Sequence, residues 1–332
     1  MKDCNFKVYI YCASFNHSRY IKDALDGFCM QQTDFPYVCA IKDDASTDGE
    51  PDIIRKYIED NFETSDDVFY TEETEYANII FARHKTNKNC YIAAVLLKYN
   101  HYSIKKSVEP YFERWRKNVP YIALCEGDDY WTDPNKLQKQ VEFLDKNPDY
   151  TMCFHRATVL DYIGIKSPLR CFDIEDREYT SDELFKTWTV PTASILMRKE
   201  CLGYEIKGRE RILCGDIIVV LSCAAMGKVW GMSDYMSVYR IQNGGITYDS
   251  AYSKTAIMRN PVHMECIRDN FPKLNRKLID SSIAWFYYVR SQHQDDLKKC
   301  LSDMKMAIKN DKGYIKLIVN NYIYKILHIK HQ

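Results

Sequence analysis

The sequence lacks an excess of charge of either sign. Lysine plus arginine and aspartate plus glutamate both number 46, so the formal net charge is zero. Proteins that bind nucleic acid through a general electrostatic field are strongly basic. The balance therefore gives no support to a nucleic-acid partner, although it leaves a local basic patch open.

Long apolar runs are also missing. The longest one, Ile217–Met226, is about ten residues and contains Ser222, whereas a helix that spans a bilayer needs about 20. The first residues pass directly into a strand-like run, without the apolar core of a secretory signal. We therefore expect a soluble or peripheral protein in the cytoplasm, working at the inner face of the membrane if it is peripheral.

None of the thirteen cysteines forms a Cys-x-x-Cys pair. Paired spacing is the usual sign of a structural zinc site, so such a site is a poor interpretation. Several cysteines lie within apolar runs, which favours buried reduced thiols in a reducing compartment.

The first half of the chain alternates strand and helix patterns. Val8–Ala13 and Tyr37–Ile41 are β-prone, and the helix between them is expected to be capped by Ser18. Strand–helix repeats of this kind form parallel sheets with right-handed crossovers. The predicted fold class is α/β, with a Rossmann-like, mainly parallel sheet flanked by helices. We expect a catalytic domain over residues 1–250 and a helical region over 251–332.

A third strand, Tyr121–Cys125, is a continuous apolar run, as expected of a strand covered on both faces. The acidic stretch Glu126–Asp129 follows at once, and Asp133 is expected to cap the next helix. Further along, Gly215 and Asp216 are expected to open an apolar helix over Ile217–Met226, which stops at Gly227.

Polar or acidic residues follow each of the three buried strands. Ligands of open parallel sheets collect beyond the carboxyl ends of the strands, so these residues are predicted to share one rim. Adjacent carboxylates with substrate phosphates suit Mn²⁺ or Mg²⁺. For the Asp128–Asp129 pair alone, a turn followed by a helix cap is an equally good interpretation. The residues of the rim are Ala13, Ser14, Asn16, Asp43, Asp44, Asp128 and Asp129.

Three motifs in order resemble those of family 2 glycosyltransferases with the GT-A fold, particularly the type that builds bacterial polysaccharides. They are the stretches SFNHSRYI from Ser14, DDASTDG from Asp43, and YIALCEGDDYWTDP from Tyr121. The similarity covers roughly residues 6–60 and 118–245. It implies an inverting transferase that takes a sugar from a nucleotide-sugar donor, a UDP-sugar above all, as a hexosyltransferase does. The implied acceptor is a hydroxyl of a glycan or a lipid-linked glycan.

The resemblance also implies roles for single residues. The backbone at Ala13 and Ser14 would line the nucleotide pocket with Asn16, and Asp44 would bind the base beside Asp43. Asp128 would reach the ribose or the metal, and Asp129 would be the main metal ligand. Asp216 would be the general base for the acceptor hydroxyl. From the residues alone a helix cap is the favoured interpretation of Asp216, and the helix dipole favours its ionised form in either case.

Weaker predictions concern an arginine and two tryptophans. Arg240 lies where the family closes over the diphosphate, and a surface ion pair is the competing interpretation. Trp131 and Trp188 could be platforms for acceptor sugars, although most tryptophans are core residues. Gln242 stands where many relatives carry a histidine near the metal, which weakens the case for a third protein ligand. His17, His84 and His101 are interpreted as loop or surface residues, and Glu126 as structural.

The sequence does not decide the role of two regions. Residues 61–118 depart from the family spacing and are interpreted as an insertion-bearing segment, in which Arg83, Lys105 and Lys106 are the candidates for a diphosphate contact. The tail Tyr314–Gln332 interleaves lysines with apolar residues. Such a tail either packs on the catalytic domain, which we prefer, or makes peripheral contact with an acidic membrane.

Two other functions fit some of these features. A sugar-1-phosphate nucleotidyltransferase also uses a metal and an α/β domain, but it requires a glycine-rich basic loop after the first strand. The stretch Ser14–Tyr20 contains no glycine. A non-catalytic protein that binds nucleotide sugars is the other alternative, and the presence of both Asp129 and Asp216 argues against it.

Overall fold

The computed structural model describes residues 5–65, 67–104, 106–164, 173–186, 190–242 and 250–320; for residues 250–252 it describes the backbone only. The strands within these ranges are Val8–Ser14 (β1), Tyr37–Asp43 (β2), Tyr70–Glu73 (β3), Ala77–Arg83 (β4), Cys90–Leu97 (β5), Tyr121–Leu124 (β6), Tyr130–Trp131 (β7), Tyr150–Asp161 (β8), Arg177–Glu178 (β9), Leu196–Arg198 (β10) and Lys228–Ile241 (β11). The α-helices are Ile21–Cys29 (α1), Glu50–Asn61 (α2), His101–Ile104 (α3), Glu109–Arg116 (α4), Lys136–Lys146 (α5), Ser181–Lys186 (α6), Gly215–Met226 (α7), Ser250–Asn270 (α8), Arg276–Gln292 (α9) and Leu297–Asn310 (α10).

The strands form one mixed sheet in the order β3-β4-β5-β2-β1-β6-β10-β8-β11-β7, with β9 paired to β11. The central strands β5, β2, β1 and β6 are parallel, whereas β4 and β10 run antiparallel to their neighbours. The central strands are apolar on both sides because helices cover both faces. The predicted α/β fold with a mainly parallel sheet and helices in the C-terminal region is confirmed.

The chain divides into two compact units. The first comprises Met1–Thr180, Thr187–Gly203 and Met226–Ile241 and contains the whole sheet. Its core joins the sheet to the buried faces of α1, α2 and α5, which follow the spacing that the sequence predicts. The second unit comprises Ser181–Lys186, Tyr204–Ala225 and Gln242–Gln332, and its own core joins most of α7 to α8, α9 and α10.

Two predicted helix caps were wrong. The helix α1 begins at Ile21 after Tyr20, and no side chain caps it, whereas the backbone N–H of Ser18 donates to Asp48. The helix α5 begins at Lys136, and Asp133 accepts from the N–H of Asn135 just before it. The Asp48 carboxylate thus bonds the turn before α1, and the Asp133 carboxylate bonds the turn before α5, while neither helix has a side-chain cap.

The segment 61–118 contains the part of the sheet that the sequence left open. The antiparallel pair β3–β4 extends the sheet beyond β5, and α3 and α4 then return the chain to β6. No helix in the described ranges is both long enough and apolar enough to cross a bilayer.

Candidate active site

Three strand ends meet at one edge of the sheet. The register pairs Ser14 at the end of β1 with Asp43 at the end of β2. On the other side of β1, the backbone N–H of Gly127 donates to the carbonyl of Ala13 at 3.0 Å, so the acidic stretch continues along β1 after β6 ends. The predicted rim residues from all three strands therefore lie side by side.

The loops after β1 and β2 are tied together by hydrogen bonds. Asn16, which has a positive φ of 58°, accepts from the N–H of Thr47 at 2.8 Å and donates its own N–H to Ser46 at 2.8 Å. Ala45 in the partner loop also has a positive φ, 62°. Non-glycine residues in this region are strained, so the surrounding bonds must hold them there. Further bonds between these segments run from Ser18 N to Asp48 and from His17 N to Glu50.

Gly127 lies against Ser14 so closely that a side chain has no room. A Cβ built on Gly127 would be 2.1 Å from the Ser14 Oγ and 3.2 Å from Nδ1 of His17. The Ser14 Oγ is itself 3.2 Å from that nitrogen, and Nε2 of His17 is 3.8 Å from a carboxylate oxygen of Asp128. His17, interpreted from the sequence as a loop residue, thus lies between two of the predicted site residues.

Asp129 is buried at the inner side of this edge, with 2% of its surface exposed. One carboxylate oxygen, Oδ1, accepts from the backbone N–H of Arg240 on β11 at 2.8 Å. Burial, followed by the nearby charges of Asp128 and Glu126, holds the pKa of Asp129 well above its usual range. A divalent cation would relieve this concentration of negative charge.

The donor set at this edge fits such a cation in part. Within the described ranges no group of three His, Cys, Asp or Glu side chains is placed to hold a metal by itself. Mg²⁺ is commonly bound by one or two carboxylates together with substrate phosphates and water, which is what Asp128 and Asp129 could offer. A metal here would therefore depend on a phosphate-bearing ligand for the rest of its coordination.

Arg240 is engaged on several sides. Its side chain donates to the carbonyl of Asp128 at 2.8 Å and forms an ion pair with Asp23, and its guanidinium lies 4.4 Å from the ring centre of Tyr130 and 5.0 Å from that of Tyr20. It is almost completely buried. In this structure Arg240 holds the acidic turn in place, and a phosphate contact would require its ion pair to open.

The two aspartates after β2 have different surroundings. Asp43 is buried, which raises its pKa to about 6, and its Oδ1 has no hydrogen-bond partner within the described residues. Asp44 accepts from the backbone N–H of His101 at 2.8 Å, from that of Tyr102 at 3.2 Å, and from Lys42 at 3.3 Å. Both oxygens of Asp44 are thus engaged in fixing the start of α3, and a bond to a nucleobase would have to replace one of these contacts.

Asp216 lies in the second compact unit, in the first turn of α7. Its Oδ1 accepts from the N–H of Ile217 at 2.8 Å, and burial raises the pKa of its carboxyl. A carboxylate with a raised pKa is a stronger base near neutral pH than an exposed one. The helix begins at Gly215, so Asp216 lies just inside the helix and not at the N-cap.

The two predicted sugar platforms have different outcomes. Trp131 is 1% exposed, packs edge-on against Phe28 at 4.9 Å, and donates from its indole N–H to the carbonyl of Ala193. The structure therefore corrects this prediction, because Trp131 is a core residue and presents no ring face to an acceptor. Trp188 lies outside the described residues, as does Lys105.

Sequence reasoning missed several residues that organise this edge, among them Asp23, Lys42 and Glu50. Glu50 is buried in the first turn of α2 and accepts from the His17 N–H and the Ser46 hydroxyl. The sequence gives no local signal for this role, because the burial of Glu50 is evident only in the structure; charged residues are seldom buried unless they are bonded.

Comparison with known proteins places this fold among sugar transferases. The chain superposes on the UDP-GlcNAc complex of S. aureus TarS 1–349 with a TM-score of 0.58 and 14% identity, covering 92% of this chain and 81% of that one. The mannosyltransferase PcManGT of Pyrobaculum calidifontis, in complex with GDP-Man and Mn²⁺, gives a TM-score of 0.51 and 12% identity over 97% and 81%. The chain has the fold of these enzymes. At this level of identity the likeness concerns the fold alone.

The proteins of similar sequence do not indicate an activity for this chain. Rv1520 of Mycobacterium tuberculosis and Mb1547 of Mycobacterium bovis are each 32% identical over 244 residues, which is 72% of this chain. The aligned part covers 60% of the length of those relatives, and their names state no function. No protein-family model matches the chain.

Proposed function

We propose that this protein is a glycosyltransferase of the GT-A type, resembling family 2, which moves a sugar from a nucleotide-sugar donor to a hydroxyl of a glycan or lipid-linked glycan. A UDP-sugar is the donor we favour. The observation that carries the proposal is the alignment of Ser14, Asp43 and the Asp128–Asp129 turn at one sheet edge, on a fold shared with two sugar transferases. Ligands of such sheets bind at this edge.

In this proposal the loops after β1 and β2 bind the nucleotide. The strained conformations of Asn16 and Ala45 are held before any ligand arrives, which reduces the entropy that donor binding would cost. Ser14, Asn16 and Asp43 supply the polar contacts. Asp44 acts by fixing the start of α3 beside the pocket.

Asp128 and Asp129 are the residues that would hold Mn²⁺ or Mg²⁺, and the ion would supply positive charge for the departing nucleoside diphosphate. We assign Arg240 the role of orienting Asp129 through its backbone N–H and of closing the turn through its side chain. Burial of Asp129, followed by the nearby charges of Asp128 and Glu126, raises the pKa of Asp129, so a cation would favour its ionised form.

Asp216 is proposed as the general base. It would remove the proton of the acceptor hydroxyl as that oxygen bonds to the anomeric carbon and the bond from this carbon to the diphosphate oxygen breaks. A single direct displacement inverts the configuration at this carbon. The raised pKa of Asp216 suits proton transfer near neutral pH.

The roles of donor site and base can be separated with Asp216→Asn. This variant keeps the shape of the side chain and should bind the donor with unchanged affinity, while transfer to an acceptor falls at least about a hundredfold. The measurements are calorimetric binding of UDP and of UDP-sugars, and product formation against a panel of acceptors. Unchanged turnover of Asp216→Asn would remove Asp216 from the mechanism, whereas the absence of binding across UDP- and GDP-sugars would contradict the function itself.

Assays of the released products separate the alternatives. A sugar-1-phosphate nucleotidyltransferase would release pyrophosphate from a nucleoside triphosphate in the presence of a sugar phosphate. A non-catalytic binding protein would bind a nucleotide sugar and never release the free nucleotide with any acceptor. We expect neither behaviour, because the loop after β1 contains no glycine and the acidic residues of the site are all present.

A further inference from the structure

The helix α10 presents a stripe of exposed leucines and lysines. Leu297, Leu301, Lys305 and Lys309 follow one another at intervals of four residues, and all are exposed, with 66% and 41% of the two leucine surfaces accessible. Residues four apart lie on the same side of a helix. Lys298, about 100° from Leu297 around the helix axis, flanks the stripe and is also exposed.

The opposite side of α10 packs against the core of the second unit. Met304 and Ala307 are buried in the core of the second unit, and the buried Asp303 is paired with Arg290 at 2.6 Å. The leucines of the stripe are therefore not required for packing within this core. Exposing two leucines at adjacent turns is unfavourable in water unless another surface covers them.

From Leu297 onward the charge of this region is mainly positive, although the whole chain is neutral. Residues 297–320 contain six lysines and two aspartates, of which Asp303 is neutralised by Arg290 and Asp311 accepts the N–H of Gly313. Two exposed aspartates, Asp295 and Asp296, come just before α10, and Asp296 caps the helix by accepting from the N–H of Lys299. Within the described ranges none of the six lysines is in an ion pair. They are Lys298, Lys299, Lys305, Lys309, Lys312 and Lys316.

The chain after α10, as far as residue 320, also combines exposed aliphatic side chains with lysines. Ile315, Leu317 and Val319 are all exposed, with Lys312 and Lys316 beside them. A surface that combines lysines with aliphatic side chains differs from a nucleic-acid surface, which relies on arginine and on aromatic stacking. It matches the interface of an anionic bilayer, where aliphatic groups enter the acyl boundary and lysines reach the phosphates.

We propose that the exposed stripe of α10 is a membrane-docking surface for anionic phospholipid. Leu297 and Leu301 would enter the interface, and Lys298, Lys305 and Lys309 would contact lipid phosphates. This proposal is independent of the proposed function, because docking can be measured without donor or acceptor. It also places the contact on α10, ahead of the tail, whose residues 321–332 lie outside the described ranges.

The test is co-sedimentation of the full chain with vesicles. We expect binding to an equal mixture of phosphatidylglycerol and phosphatidylcholine, little binding to phosphatidylcholine alone, and weakening by salt. The double variant Lys305→Gln and Lys309→Gln should bind the anionic vesicles about tenfold more weakly. The matched control is Lys254→Gln with Lys277→Gln, which removes two exposed lysines from other helices of the same unit and should bind as the wild type does.

A second variant, Leu297→Ser with Leu301→Ser, tests the nature of the partner. It should lose vesicle binding while retaining any weak attraction to soluble polyglutamate, and its melting temperature should be unchanged because both leucines are exposed. The proposal is overturned if the wild type ignores anionic vesicles or if the lysine variant binds them fully. It is equally overturned if the leucine variant binds the anionic vesicles as tightly as the wild type does.

Discussion

The backbone N–H of Arg240 donates to Oδ1 of Asp129 across 2.8 Å, although the two residues are 111 positions apart in the chain. This bond joins the long strand β11 to the acidic turn after β6. The Arg240 side chain adds a second link, to the carbonyl of Asp128. The strand thus fixes both the position and the orientation of the carboxylate that we propose as the metal ligand.

Gly127 gives a prediction about the packing of the acidic turn. Gly127→Ala should lower the free energy of unfolding by about 1–3 kcal/mol, because its Cβ would lie 2.1 Å from the Ser14 Oγ. Chemical denaturation measures the loss. Gly203→Ala is the matched control, since a Cβ there meets nothing within 4 Å.

Removing the Ser14 side chain tests whether its clash with the new Cβ causes the loss of stability. In a Ser14→Gly background, Gly127→Ala should cost much less, because both Ser14 atoms nearest to the new Cβ are absent. An equal cost in both backgrounds would show that Gly127 is needed for its backbone conformation and not for the close approach.

Lys136 gives a prediction about pH. It is buried above the ring of Trp131 and bonds Gln140, and burial lowers its pKa from 10.5 to about 7. Between about pH 7 and 10.5 the unfolded chain therefore binds this proton and the folded chain does not. Stability should rise with pH in this window, by up to about 1.4 kcal/mol per pH unit from this group.

The contribution of Lys136 is isolated by comparing variants. Lys136→Met should remove this part of the increase in the urea midpoint between pH 7 and 9, whereas Lys146→Met, at an exposed position of the same helix, should leave the slope as in the wild type. A wild-type slope that Lys136→Met does not change would mean that Lys136 stays protonated in the folded protein.

Asp44 is predicted to act by positioning α3. Asp44→Ala should speed the exchange of the amide hydrogens of His101 and Tyr102, which donate to its carboxylate. Asp44→Asn keeps one oxygen acceptor and should give intermediate rates, and Asp60→Ala, on the exposed end of α2, is the control. Hydrogen-exchange mass spectrometry of residues 99–104 provides the measurement. Native rates in Asp44→Ala would leave Asp44 free for a direct contact with the base.

The strands and helices of the interior were predictable because burial imposes a simple pattern. The run Tyr121–Cys125 predicted β6 to within one residue, and the predicted helix Ile217–Met226 agrees with α7 at its end and to within two residues at its start. The hairpin β3–β4 was missed because β3 lies at the edge of the sheet, where its residues face solvent and show no apolar alternation.

The arrangement of the site could be predicted only in part from the sequence. Strand ends could be assigned to one edge because parallel strands place them there, which brought Ser14, Asp43 and Asp128 together. Contacts between distant segments leave no local pattern, so the bonds from Asp129 to Arg240 and from Asp44 to His101 could not be foreseen. For the same reason, the burial of Trp131 and its bond to the carbonyl of Ala193 could not be predicted from the sequence.

The most direct measurement is Mn²⁺-dependent binding of UDP and of UDP-sugars to Asp129→Ala, compared with the wild type and with Asp52→Ala at an exposed position of α2. Calorimetry with and without a chelator reports nucleotide affinity and its dependence on the metal. We predict that Mn²⁺ strengthens binding at least about tenfold in the wild type and in Asp52→Ala, and that Asp129→Ala removes this gain. Equal metal-dependent affinity in all three proteins would contradict the proposed donor site.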